Sequence, residues 1–349
     1  MEQSCLIHRQ EPLAADAARV LARFRTPIDV ALGESLALDA SPLYDMLRFH
    51  IGLDGEAAAG GKALRPTLCL LVCEALGGHW PHAMPAAVSL ELVHNFSLIH
   101  DDIQDEDLER HHRPTVWAKW GVAQAINAGD AMFCLATLHL ETLRAHFDDT
   151  MAMDAVSLLH EATREMIQGQ YLDVSFEVVP EVGLDDYLRM ISYKTGALLR
   201  ASIELGALLA KADDATRQSC RRFGEATGRL FQIKDDILGV WGLSEVTGKP
   251  VGADIKRKKK SLPIVIALSK AAPAERRALQ FIYGQDTLSD SDVANVQDIF
   301  GQLDVRSVAQ TMANEAHERA LALASQLDFS HSGRAELLGL VEFLLARDH

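Results

Sequence analysis

What this chain lacks narrows its function first. No apolar run approaches the ~20 residues that a membrane-crossing helix needs, so no membrane span is expected. Met1 to Phe24 holds no continuous apolar stretch behind a basic start, which argues against a secretory leader. Positive charge is in deficit: 34 Lys and Arg stand against 49 Asp and Glu, a formal net charge of −15. That balance argues against nucleic acid and anionic membrane surfaces as general partners. Cysteine is sparse. Its five positions, Cys5, Cys69, Cys73, Cys134 and Cys220, contain no CxxC pair and leave an odd one. Cys69 and Cys73, one helical turn apart, read as small buried apolar residues, and the usage suits a reduced, cytoplasmic protein.

Strand signals are missing too. Period-2 alternation with β-branched enrichment is almost absent, while helical periodicity runs nearly throughout. There is no Ser/Gly-rich linker, repeat or low-complexity segment. With 349 residues and 48% hydrophobic composition, the chain has ample material for a core. The expectation is one all-α domain over residues 1–349. Gly and Pro mark its joints. Gly60-Gly61 precede a helix with Pro66 in its first turn, closed by Gly77-Gly78. Another helix starts near Pro85 and carries Leu92, Val93, Phe96 and Ile99, with Pro114 in the loop beyond. Helices are expected near 130–147, 152–173, 185–193 and 197–211, and over 214–239, where Gly224 and Gly228 allow close neighbours or a bend. Residues 242–260 read as loop, and about four more helices follow from Ser261.

Two acidic segments end long apolar helices: Asp101-Asp102-Ile103-Gln104-Asp105 and Asp235-Asp236-Ile237-Leu238-Gly239, 134 positions apart (235 − 101). With ~3.6 residues per turn, Asp101 and Asp105 project from one face. Carboxylates crowded in this way repel unless a cation sits between them. A hard divalent ion with oxygen ligands serves, and Mg²⁺ commonly shares its shell with substrate phosphates. Cations surround both segments. Lys62 and Arg65 flank a helix start that itself attracts anions. His94 lies two turns before Asp101; Arg110 and Arg113 follow the first segment. Lys194-Thr195-Gly196 interrupts a helical pattern, Gln232 precedes Asp235 by three residues, and Lys249 and Lys259 lie beyond. Two acidic poles among cations suit Mg²⁺-diphosphate groups.

With these motifs in order from about Gly60 to Pro263, the chain resembles the trans-isoprenyl diphosphate synthases of the polyprenyl synthetase family, short-chain type. The resemblance implies an orthogonal helical bundle of the isoprenoid synthase type with a central active-site cavity. It also implies a prenyltransferase that condenses isopentenyl diphosphate with allylic diphosphates, and a homodimer. About three Mg²⁺ ions per active site would be held by Asp101, Asp102, Asp105, Asp235 and Asp236. Isopentenyl diphosphate falls to Lys62, Arg65 and His94. Arg110, Lys194, Lys249 and Lys259 would contact diphosphate, while Thr195 and Gln232 line the reaction centre. Closure of the basic run Lys256-Arg257-Lys258-Lys259-Lys260 would exclude water from a carbocation; read blandly, the run is a solvated charge patch. Phe96, five residues before Asp101, and Ser97 would set product length, and a single aromatic there suits geranylgeranyl diphosphate, with farnesyl diphosphate the runner-up.

Three departures stand out. The second segment ends in Gly239 where many relatives carry a third aspartate. His111 follows Arg110 where an arginine pair is usual, and an imidazole, with an ordinary pKa of about 6.5, grips an anion well only when protonated. Lys258 stands where relatives often have glycine, which is expected to stiffen the loop. Competing readings fit less well. A class I terpene cyclase would carry a different second acidic site and has no need of Lys62 and Arg65. A di-iron bundle is suggested by Glu91-x-x-His94 and Glu109-x-x-His112, but the second ExxH falls in an apparent loop. A non-catalytic regulatory subunit would tend to lose the first aspartates, which are intact. Trp117, Trp120 and Trp241 read as core or interface anchors.

Overall fold

The computed structural model describes residues 2–55, 63–242 and 251–346, with side chains of the first helix from Ala17 onward. The chain is helical almost throughout. It opens with α1 (Glu2–Leu36), α2 (Pro42–Ile51) and α3 (Leu64–Ala75). Next come α4 (Met84–Gln104), α5 (Val116–Trp120), α6 (Val122–Glu141) and α7 (Asp149–Glu177). α8 (Leu184–Ile191) runs into α9 (Ala197–Leu209) through a π-helical turn, Ser192–Gly196. α10 (Asp214–Trp241) and the single turn α11 (Ala253–Lys256) follow. The closing set is α12 (Leu262–Lys270), α13 (Pro273–Tyr283), α14 (Asp290–Gln302), α15 (Val305–Ser325) and α16 (His331–Ala346). Among the described residues the one β element is a ribbon of β1 (Glu109–Arg110) and β2 (Arg113–Pro114), so Pro114 sits in a strand rather than a plain loop.

Local chemistry sets the boundaries. The Asp148 and Asp213 carboxylates accept from the Met151 and Thr216 amides at 2.9 and 2.8 Å, capping α7 and α10; such caps are worth ~1 kcal/mol each. Gly77 stops the chain beyond α3 with φ at 83°. Five helices follow Ser261, not four, because only two residues separate the end of α12 at Lys270 from Pro273, which begins α13. Proline at the first helical position costs no hydrogen bond, so so short a break leaves little trace in the pattern.

α9 is the hub. All of its residues are buried, the behaviour of a helix with core on every side. α3, α7 and α10 pack around it, α10 also lies along α15, and α4 lies along α6. Buried apolar side chains from Ala17 in α1 to Leu344 in α16 form one contiguous core. Cys69, Cys73 and Cys220 are buried free thiols within it. No helix among the described residues is long and apolar enough to cross a membrane.

The π turn is where the fold meets chemistry. An extra residue in a helical turn displaces the side chains around it, and such bulges recur at functional sites. Here it carries Lys194 and Thr195, pressed from both sides by glycines. A Cβ on Gly228 of α10 would lie 2.9 Å from the Gly196 Cα, and one on Gly169 of α7 would lie 2.5 Å from the Lys194 Cα. Alanine at Gly169 would gain ~1 kcal/mol of helix propensity. It would meet backbone, which cannot rotate away, and overpacking costs ~1–3 kcal/mol. Gly169→Ala is therefore expected to lower the denaturant midpoint and to reduce turnover through displaced Lys194; an unchanged midpoint with full activity would contradict the packing account.

Candidate active site

A cavity of about 940 Å³ opens between α4, α7, the π turn, α10 and the basic run after α11. Asp101, Asp105, Lys194, Thr195, Gln232, Asp235, Asp236 and Lys259 all line it, so the two acidic poles face one space. Burial raises the Asp101 carboxyl to about 6; Lys194 opposes the shift while Asp105 and Asp173 add to it. Burial likewise raises Asp105. Lys194 spans this pole, its Nζ 2.6 Å from Asp173 Oδ2 and 3.9 Å from Asp101 Oδ2. Burial alone would depress Lys194, but Asp101 and Asp173 outweigh it and hold the ammonium charged.

The second pole is braced by a polar chain. Thr195 Oγ1 donates to Gln232 Oε1 at 2.6 Å, and Gln232 Nε2 donates to Asp236 Oδ1 at 2.9 Å. The other Asp236 oxygen accepts from the Tyr187 hydroxyl and from the Leu262 amide. Asp236 is thus buried and saturated by protein donors, whereas its neighbour Asp235 is exposed to the cavity. Burial would lower the pKa of Lys259, but Asp254, Asp236 and Asp235 together push it upward. Both lysines stay cationic between carboxylates.

Several expected residues are placed differently. Asp102 does not line the cavity. It is 1% exposed and its Oδ1 accepts from Arg110 Nε at 2.9 Å and Nη2 at 2.8 Å. One residue along a helix is a rotation of ~100°, which takes Asp102 off the face shared by Asp101 and Asp105. Phe96 and Ser97 are also absent from the cavity lining, where Leu98 stands instead. Phe96 packs on Phe133 of α6 with ring centroids 5.4 Å apart, and Phe133 on His160 of α7 at 5.3 Å. His94 and Arg65 are not among the residues that line the cavity. Burial, then Arg65 and Arg110, depress the His94 imidazole well below its ordinary range. Lys62 and Lys249 lie outside the described residues.

His111 and His112 line the mouth as the two-residue loop of the β ribbon, with φ of 51° and 61°. That is the primed turn hairpins favour, and histidine is among the residues better tolerated there. Across the mouth Arg257 pairs with Asp107 at 2.7 Å, joining the basic run to the first pole. Lys258 has φ of 57°, a left-handed backbone that suits glycine and costs an L-residue ~1 kcal/mol. Trp117 anchors the hairpin by donating to the Asp107 carbonyl at 2.8 Å. Sequence reasoning missed Asp173 as the Lys194 partner and Tyr187 as the Asp236 partner. Nothing in the pattern marks either, since each is one polar residue among several in its helix.

Among the described residues no three His, Cys, Asp or Glu side chains converge as a ready-made metal cage. The donor set nonetheless fits Mg²⁺, which takes one or two carboxylates and completes its octahedron with water and substrate phosphate. The Asp101 and Asp105 carboxyls, raised by burial and by neighbouring acids, are the environment such an ion relieves.

An all-α bundle with two carboxylate poles facing a basic-rimmed cavity defines the class of prenyl diphosphate synthases. The chain belongs to the polyprenyl synthetase family, whose model matches residues 53–300. It is 38% identical over 310 residues to a (2E,6E)-farnesyl diphosphate synthase of Mycobacterium tuberculosis (strain H37Rv), covering 86% of this chain and 85% of that protein. It is 39% identical over 308 residues to a geranylgeranyl diphosphate synthase of the same strain, covering 87% of each. Among solved structures, a polyprenyl synthetase from Streptomyces coelicolor A3(2) superposes with a TM-score of 0.87 at 34% identity, covering 93% of this chain and 98% of that one. A geranylgeranyl pyrophosphate synthetase from Pyrococcus horikoshii gives 0.86 at 31%, covering 97% and 99%. The chain is a prenyltransferase of the short-chain type, about equally near relatives named for farnesyl and for geranylgeranyl diphosphate.

The Gly239 departure has a structural counterpart. A Cβ there would collide with the carboxylate of Asp254, which is 9% exposed and is the strongest charge partner of Lys259. Glycine at 239 makes room for an acid delivered from α11. Restoring the common aspartate should therefore harm the enzyme: Gly239→Asp is expected to lower kcat at least tenfold, and adding Asp254→Gly to recover part of it. A single variant with wild-type kcat would contradict this.

Proposed function

We propose that this protein condenses isopentenyl diphosphate with allylic diphosphates (dimethylallyl, geranyl and farnesyl), giving geranylgeranyl diphosphate as the main product. The observation carrying this reading is the meeting of Asp101, Asp105 and Asp235 in one cavity bridged by Lys194 and Lys259. Those three carboxylates would hold about three Mg²⁺ ions together with the allylic diphosphate, the ions supplying Lewis-acid stabilisation of the leaving group. Asp102 and Asp236 act one step back: Asp102 orients Arg110, and Asp236 orients Gln232 and Tyr187.

The allylic C–O bond breaks, its electron pair leaving with the diphosphate. Lys194 and Lys259, fixed by their acids, clamp the developing charge without reorganising. Lys249 and Arg110 add to that grip. Lys62, Arg65 and His94 hold isopentenyl diphosphate so that its double bond attacks the allylic cation, forming the new C–C bond. A proton is then lost to the released diphosphate. Thr195 and Gln232, locked together, wall the reaction centre, and the Arg257–Asp107 pair closes its mouth to water. At the hairpin His111 grips anions best when protonated, so isopentenyl diphosphate binding weakens above neutral pH.

Farnesyl diphosphate is the second reading. The ring contacts of Phe96 with Phe133 and of Phe133 with His160, across α4, α6 and α7, would raise the floor that stops the growing tail. The chain works as a single all-α unit and as a homodimer. Ile126 and Leu138 of α6 and Met153, Ile167, Tyr171 and Val174 of α7 are exposed apolar side chains of the kind a second copy would cover. Incubation with isopentenyl diphosphate, Mg²⁺ and each allylic primer, with product sizing, tests the assignment. Condensation to a twenty-carbon product is expected, lengthened in Phe96→Ala. Product formed from an allylic primer alone would point to a cyclase and overturn the reading.

A further inference from the structure

Four side chains at the second pole close a ring of contacts, and one of them, Tyr187, has no part assigned in the condensation. Its hydroxyl, carried on α8, donates to Asp236 Oδ2, which also accepts from the Leu262 amide at 2.8 Å. Asp236 Oδ1 accepts from Gln232 Nε2 at 2.9 Å, and Gln232 Oε1 accepts from Thr195 Oγ1 at 2.6 Å. Backbone completes the circuit, because α8 runs directly into the π turn that carries Thr195.

Chemistry fixes the direction of each link. An ionised carboxylate only accepts, so Gln232 turns its amide N–H toward Asp236 and its carbonyl toward Thr195. The Thr195 hydroxyl thus spends its proton on Gln232 and keeps its oxygen lone pairs for the cavity that both residues line. Lone pairs held in that sense favour a developing allylic cation. The arrangement lasts only while Asp236 cannot turn. Its Oδ2 is held by donors from two different helices, α8 and α12, and Asp236 is 1% exposed, so bulk water does not stand ready to replace a lost donor. Tyr187 borders the cavity but is itself 1% exposed, with its hydroxyl turned to Asp236 rather than to a substrate.

We propose that Tyr187 is a positioning residue for ionisation of the allylic substrate: its hydroxyl pins Asp236 and, through Asp236 and Gln232, keeps the Thr195 lone pairs toward the reaction centre. This deepens the reading that Thr195 and Gln232 wall that centre, and rests on it. None of the four side chains grips a diphosphate in that reading, so loss of the Tyr187 donor slows the chemical step and spares binding of both substrates. A loosened wall also admits water, whose oxygen captures the allylic cation in place of the isopentenyl double bond. That side reaction forms a C–O bond, passes a proton to the departed diphosphate and yields the allylic alcohol.

Kinetics of Tyr187→Phe, which keeps the aromatic ring and removes the donor, alone and combined with Gln232→Leu, decide the matter. Alone, the substitution is expected to lower the single-turnover rate about tenfold, the scale of one hydrogen bond to a charged group, with both KM values within about twofold. More of the allylic substrate should be recovered as alcohol. In the Gln232→Leu background the same substitution should cost less than about twofold, because the line it feeds is already cut. A side chain that only supported the fold would act independently of Gln232 or move both KM values. An unmoved rate, an equal loss in both backgrounds, or a rise in both KM values with the rate retained overturns the proposal. Should Tyr187→Phe not fold, Tyr187→Met, a flexible apolar side chain without the donor, carries the same test with the same outcomes. Wild-type enzyme in the parallel assay separates the two layers. Absent condensation by wild type overturns the assigned reaction and this role together, whereas normal condensation with an unmoved rate in the variant overturns the role of Tyr187 alone.

Discussion

Repulsion among buried carboxylates is the constraint to which the rest of this structure answers. Asp101, Asp105 and Asp173 crowd one wall of the cavity, and Asp235, Asp236 and Asp254 the other. Charge in a partly desolvated cleft is costly, and like charges raise the cost. Lys194 and Lys259 offset part of it, each held cationic by the acids around it. The remaining imbalance is what a metal–diphosphate complex can fill. A catalyst for diphosphate departure needs that preorganised field, and the protein bears its cost through a rigid core centred on α9.

Much of this was legible in the chain itself. The helical class followed from periodicity, and the Asp101–Asp105 face from a spacing of four. The interruption at Lys194-Thr195-Gly196 was visible, although only coordinates resolve it as a π turn between Gly169 and Gly228. Treating adjacent aspartates as equivalent was where the reading lost resolution. Asp101 and Asp235 reach the cavity while Asp102 is spent on Arg110 and Asp236 on Tyr187, Gln232 and Leu262. Helical rotation anticipates the first distinction. The second depends on partners from α8 and α12, which no local pattern announces. Asp173 was invisible for the same reason: its partner Lys194 comes from a different element.

The departures from the family pattern prove to be accommodated locally. Gly239 gives its volume to Asp254, so the second pole keeps a third carboxylate from a different segment. Lys258 adopts the backbone that glycine takes easily, and its Nζ donates to the Gln285 carbonyl at 2.6 Å, which restrains the basic run. His111 and His112 fit a turn that needs two left-handed residues. At Gly239 the electrostatic role is preserved while the residue supplying it changes.

The single-turnover condensation rate of Asp101→Asn at saturating Mg²⁺ tests this account most directly, since the substitution keeps shape and removes only charge. A fall of at least about a hundredfold, the scale seen when one preorganised electrostatic group is lost, is the result the account predicts. A rate equal to wild type would mean that the carboxylates do not gather cation and diphosphate, and would contradict it.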